Sequence, residues 1–96
     1  MDEALEHYRT ALEINPDLND LYAPTATLLA QRGELGAAVR HYQEAVRRHP
    51  TPSAHFNLAL TLERMGRIEE ARRQYEQALA LDPGLEPARQ RLGALQ

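Results

Sequence analysis

Histidine is the side chain here best suited to metal ligation or proton transfer near neutral pH, and four are present: His7, His41, His49 and His55. His7 and His41 lie 34 residues apart, at equivalent places in successive copies of the repeat described below. A stacked array holds them about a helix-pair width apart, too far to share a metal whose bonds are about 2 Å long. They read as solvated surface. His49 precedes a proline in a turn, and His55 reads as a core residue. Ser53 and His55 are near neighbours without a third group to orient them, so a nucleophilic triad has no support. No cysteine is present, which removes disulfides and thiolate metal sites. The basic pairs Arg47-Arg48 and Arg72-Arg73 are interleaved with Glu44, Glu69, Glu70 and Glu76. Salt-bridged solvated faces are the expectation there, with a patch for an acidic partner as the alternative. No catalytic residue, metal or cofactor is therefore expected.

The elements that must position these residues repeat. Ala71, Tyr75, Ala78 and Pro83 are echoed by Ala38, Tyr42, Ala45 and Pro50, each 33 residues earlier, and by Ala4, Tyr8, Ala11 and Pro16, a further 34 earlier. A period in the low thirties is the signature of a helical solenoid, in which each unit buries its apolar face against its neighbours. Apolar residues from Asp2 to Ile14 fall at helical spacing, and Asn15-Pro16 ends that helix. The next helix begins near Asn19 or Asp20, either of which can cap it, and runs to about Arg32. Pro24 leaves two possibilities: a late start with Pro24 in the first turn, or a distorted opening turn. Gly33 permits the left-handed turn that ends the helix, and Leu35 to Arg48 forms its antiparallel partner. Thr51-Pro52 opens the third long helix with a hydroxyl cap and a proline at the first helical position. Gly66 repeats the role of Gly33, and Ile68 to Leu81 repeats the second helix, with Leu79 expected in the packed interior. A last helix runs from Pro87 to about Leu95.

Composition narrows the function. Net charge is −3 and the isoelectric point is near 5.8, so no basic field recruits phosphate backbones, and nucleic acid is not the expected partner. All 11 basic residues are arginine, which suggests a GC-rich, bacterial coding sequence. No apolar run approaches the roughly 20 residues that cross a bilayer, and the start is acidic rather than signal-like. A cytoplasmic protein without a membrane partner is the expectation.

Taken together, Ala26, Gly33, Ala38, Tyr42, Ala45 and Pro50, and again Ala59, Gly66, Ala71, Tyr75, Ala78 and Pro83, resemble the tetratricopeptide repeat family. That pattern sets small residues where paired helices cross, an aromatic between them, glycine at the inner turn and proline at the close. Where the family favours Trp at its first position, this chain has Tyr22 and His55, and looser packing is expected there. The resemblance implies an all-α, right-handed α-solenoid of stacked antiparallel helix pairs, about six helices in a single domain over 1–96. In that frame 1–17 is an unpaired second helix, 19–51 and 52–85 are full repeats, and 86–96 is a terminal capping helix.

The resemblance further implies a concave groove lined by the first helix of each unit and a peptide or partner helix held in it. Carried onto this sequence, the groove residues are Thr27, Gln31, Phe56, Asn57, Leu60, Arg64 and Arg91. Phe56 and Leu60, one turn apart, form an apolar pair in the groove or else pack on neighbouring helices. Asn57 and Arg91 are suited to an extended backbone or a carboxylate. The carboxylate clamp of chaperone-binding members is not expected, because Ala23, Thr27 and Pro87 stand at its other positions. The expected function is a non-catalytic protein-interaction module. The alternatives are a scaffold that self-assembles head to tail or by domain swapping through its end helices, and an accessory segment of a larger enzyme.

Overall fold

The chain's prolines and glycines act on the backbone as their chemistry requires. His49 and Asp82, each followed by proline, take extended backbone (φ −150° and −141°) and close their helices with a single amide bond each, to Ala45 and Ala78. Gly33 and Gly66 have φ of +84° and +79°, the left-handed region. At Gly33 the paired bonds Gly33 N–H to Ala30 O (3.0 Å) and Glu34 N–H to Leu29 O (2.9 Å) satisfy the last carbonyls of the helix. Gly66 and Arg67 repeat both bonds, to Glu63 and Leu62.

The computed structural model describes residues 3–95, and Met1, Asp2 and Gln96 of the predicted first and last segments lie outside the described residues. Among the described residues the chain is all-α, with six helices and no strand: α1 (Glu3–Ile14), α2 (Tyr22–Gln31), α3 (Leu35–Arg48), α4 (Pro52–Arg64), α5 (Ile68–Leu81) and α6 (Glu86–Ala94). It divides into two compact units, Met1–His49 and Pro50–Gln96.

Entry into α2 combines both possibilities that Pro24 leaves open. A 3-10 turn, Asn19–Leu21, precedes α2, and Pro24 sits third in the helix itself. Neither Asn19 nor Asp20 caps it, a correction to the sequence reading. Both lie inside the 3-10 turn, and the residue at the cap position of α2 is Leu21, whose side chain has no acceptor. The Asn19 side-chain oxygen Oδ1 accepts from Arg48 instead, at 3.0 Å. Entry into α4 follows the expectation: the Thr51 hydroxyl accepts from the Ala54 amide at 3.1 Å, with Pro52 in the first turn.

In the first unit α2 packs on α3, and Ala26, Leu29 and Ala38 are fully enclosed. The second unit repeats this with α4 on α5 through Leu58, Ala59, Leu62, Ala71, Tyr75 and Ala78, while α6 adds Ala88 against α5. Alanine at these crossings keeps the backbones close, and a larger side chain would overpack by about 1–3 kcal/mol. Leu79 is half-buried, not interior, because the neighbouring Ala78 takes the inward direction. The buried Thr25 and Thr61 hydroxyls each donate to the carbonyl four residues back, at 2.6 and 2.9 Å, so neither is left without a partner.

Urea unfolding checks this account. Leu62→Ala, which empties a position 2% exposed, is expected to cost about 2–5 kcal/mol. Leu79→Ala should cost less than half as much. Gly66→Ala meets open space yet should still lose about 1–2 kcal/mol, the cost of left-handed backbone for a residue with a Cβ.

Candidate functional site

On α4 the helical repeat sorts the side chains into two faces. Ala54, Leu58, Ala59, Thr61 and Leu62 turn inward, whereas Ser53, Asn57, Leu60 and Arg64, spaced three or four apart, form an outer stripe. Leu60 and Asn57 are half-buried and Arg64 is exposed. Among the described residues neither the Asn57 amide nor the Arg64 guanidinium makes a hydrogen bond or ion pair. Phe56 sits beside the stripe, with its ring 5.8 Å from that of Tyr75 at 55°. It therefore packs on the core tyrosine and keeps part of its surface outside. On α2, in the first unit, Thr27 is half-buried, and Gln31, one turn on, is exposed and makes no hydrogen bond among the described residues.

Each unit has a buried tyrosine whose hydroxyl must be satisfied, and each does so differently. Thr27 donates its hydroxyl proton to the Ala23 carbonyl (3.0 Å), leaving its oxygen to accept from Tyr42 (2.7 Å). In the second unit the place of Thr27 is taken by Leu60, which has no acceptor, and the place of Ala30 by Glu63. Tyr75 accordingly donates to the Glu63 carboxylate one helical turn further along, at 2.7 Å. Glu63 also receives both ends of the Arg91 guanidinium from α6, through Nε at 3.2 Å and through Nη2. Arg91, a predicted groove cation, is thus one half of an ion pair. This role of Glu63 is absent from the sequence reading; the reciprocal exchange of Thr27 with Leu60 and of Ala30 with Glu63 was its visible signal.

Charge follows this wiring. Burial pushes the Glu63 carboxyl up, but the bonds from Arg91 and Tyr75 outweigh it and leave the group below the usual carboxylate range. Burial and the adjacent Glu63 both push the Tyr75 phenol up. Three of the four arginines in the basic pairs are ion-paired as expected: Arg47 grips Glu44 with two bonds, Arg48 joins it at 2.8 Å and Arg72 holds Glu69, while Arg67, outside those pairs, holds Glu70. The bonds from Arg47 and Arg48 bring the Glu44 carboxyl down to about 2. Arg48 also lies 4.9 Å from the centre of the Tyr22 ring, while the Tyr22 hydroxyl donates to the Pro16 carbonyl at 2.6 Å.

The histidines are divided between surface and packing. His7 is exposed; His41 is half-buried, with its ring 6.2 Å from Tyr22. His55 is half-buried and pairs through Nδ1 with Gln74 at 2.7 Å. Among the described residues no three acidic or imidazole groups are placed to hold a metal, and no helix is long and apolar enough to cross a membrane.

Glu63→Ala should cost about 1–3 kcal/mol, because it strands the buried Tyr75 hydroxyl. Adding Leu60→Thr should recover part of that loss by restoring the arrangement of the first unit. A depressed native pKa adds stability that is present above the unfolded carboxyl value and lost as pH falls through the native one. Wild type should accordingly lose stability more steeply than Glu63→Gln in acid titrations below about pH 4, near the unfolded glutamate value.

With the geometry described, comparison with known proteins can be reported. No curated protein matches the chain. Among solved structures, a crystal structure of MamA protein is similar at a TM-score of 0.94 and 22% identity, covering 98% of this chain and 52% of that one. A thermophilic TPR protein of Thermus thermophilus is similar at 0.84 and 29% identity, covering 98% and 48%. A tetratricopeptide repeat protein of Parabacteroides merdae reaches 0.89 at 24% identity, covering 96% and 38%. The chain thus spans about half or less of the length of these structures. The two source organisms given are bacteria, the origin that the arginine bias suggests. The family model described as tetratricopeptide repeat matches residues 24–86, most of both helix pairs, and the chain belongs to the tetratricopeptide repeat family.

Proposed function

We propose that the chain is a non-catalytic interaction module whose second unit holds an extended peptide or a partner helix along its first helix, α4. The observation that carries this reading is the outer stripe of α4. Asn57 and Arg64 have no partner among the described residues, and Leu60 lies between them with part of its surface exposed. An amide, an apolar side chain and a cation at successive turns offer backbone hydrogen bonding, burial and charge recognition along one line.

The remaining groove residues have smaller parts. In the first unit, taken by itself, Gln31 of α2 offers an amide, and Thr27 acts mainly through its methyl group, its hydroxyl being committed to Tyr42 and Ala23. Phe56 supplies an apolar rim. Arg91 enters already neutralised by Glu63, so the cation available on this face is Arg64. With a net charge of −3 and one such cation, a peptide rather than nucleic acid or a membrane suits the surface, in the cytoplasm and without cofactor or metal.

The test is selection from a displayed library of random peptides, followed by titration of a synthesised winner against wild type, Asn57→Ala and Arg64→Ala. At least one variant is expected to weaken binding tenfold, about 1.4 kcal/mol. Equal affinity for all three proteins, or no enriched peptide, would overturn the assignment.

A further inference from the structure

Asn57, Leu60 and Arg64 lie within about 60° of one another around α4, so a ligand following the helix axis meets them in turn. At about 1.5 Å per residue, Leu60 stands about 4.5 Å beyond Asn57 and Arg64 about 6 Å beyond Leu60. A partner helix advances about 6 Å every fourth residue and an extended segment about 6.6 Å every second, so both match the second step. The amide decides between them. Along the middle of a helix the backbone N–H and C=O groups bond one another, and a side-chain amide finds nothing there to bind. An extended segment keeps both groups open. Asn57 carries a donor and an acceptor, and neither is used by the chain among the described residues.

Charge fixes a second property of the ligand. Arg64 is exposed and makes no ion pair among the described residues. The carboxylates near it in sequence are committed elsewhere: Glu63 to Tyr75 and Arg91, Glu70 to Arg67. Glu63 and Arg91 offset each other, so the charge that the stripe itself presents is that of Arg64. One turn before it, Leu60 is half-buried, and Phe56, one turn earlier again, adds its partly exposed ring as an apolar seat. This combination belongs to the second unit. At the places of Asn57, Leu60 and Arg64, 33 residues earlier, α2 has Pro24, Thr27 and Gln31, with neither the backbone-reading amide at the first place nor a cation at the last.

We infer that the ligand of α4 is an extended peptide segment in which an apolar residue and an aspartate or glutamate are separated by a single residue. This rests on the reading of α4 as a peptide-holding helix and narrows it. The apolar side chain sits on Leu60 and Phe56, and the carboxylate, two residues away on the same face of the segment, accepts from the Arg64 guanidinium. Asn57 lies on the other side of the apolar residue by less than one two-residue step. There the segment presents backbone N–H and C=O rather than a side chain, and the amide bonds them.

The probes are peptides enriched from the displayed random library, and their sequences should share an acidic residue two places from an apolar one. In a synthesised winner, exchanging that acid for its amide should weaken binding to wild type about tenfold, as the loss of a charged hydrogen bond does, and leave binding to Arg64→Gln unchanged. Exchanging it for lysine should abolish binding to wild type and restore it with Arg64→Glu. Arg64 is exposed, so both variants should keep the helical circular dichroism of wild type. Nuclear magnetic resonance of the isotope-labelled winner in the complex should show extended backbone. Winners that bind as helices, that share no acid, or whose acid-to-amide exchange costs wild type and Arg64→Gln equally overturn this inference. The peptide-holding role of α4 survives those results if Asn57→Ala or Arg64→Ala still weakens the winner. A library that yields no enriched peptide overturns both.

Discussion

The constraint on which the rest of this structure depends is the close approach of the two helices in each pair. Buried alanine at Ala26 and Ala38, and at Ala59, Ala71 and Ala78, brings the backbones together. The tyrosines fill the space left between them. A tyrosine in that place contributes a large apolar body and one polar atom, and the polar atom cannot be left dry without a partner. Closeness thus creates an electrostatic demand on the first helix of each pair.

The two units answer that demand in ways that affect their outer faces. Where Thr27 takes the tyrosine bond, its hydroxyl is withdrawn from solvent and Gln31 remains the free polar group. Where Glu63 takes it, Leu60 is released to be apolar and outward, and the carboxylate left on the surface draws in Arg91. Core satisfaction and surface chemistry are therefore linked through a single turn of helix. The ion pair between Glu63 and Arg91 also ties α6 to α4, although α6 packs mainly on α5. Its carboxylate is only about one-sixth exposed, so it is screened less than the pairs of Arg47, Arg67 and Arg72, which lie in solvent and contribute little individually.

Much of the fold was legible because its signals are local. Prolines 16, 50 and 83, glycines 33 and 66 and the Thr51-Pro52 cap act through backbone dihedrals and missing donors within a few residues, and each performs the expected role. The start of α2 was less legible: Asn19 and Asp20 both suit a cap, but a 3-10 turn takes them in and moves the cap position to Leu21. Leu79 was misjudged because Ala78 and Leu79 both fit an apolar face, and which points inward depends on the angle at which the helices cross. The residues proposed for the groove came from the family resemblance through the repeat register, which carries no information on their partners. Spacing places Arg91 on a face; it cannot say that Glu63, 28 residues away, will neutralise it.

The sequence by itself determined six helices, most of their ends, the pairing of α2 with α3 and α4 with α5, and the ion pairs between neighbours on one helix such as Arg47 with Glu44, because helical periodicity and turn chemistry operate over fewer than about five residues. Tertiary structure decided which oxygen satisfies each buried tyrosine, which arginine is already paired and which polar groups on α4 stay open. Those outcomes require distances between side chains far apart in the chain, and they turn on differences of one helical turn that no local pattern records.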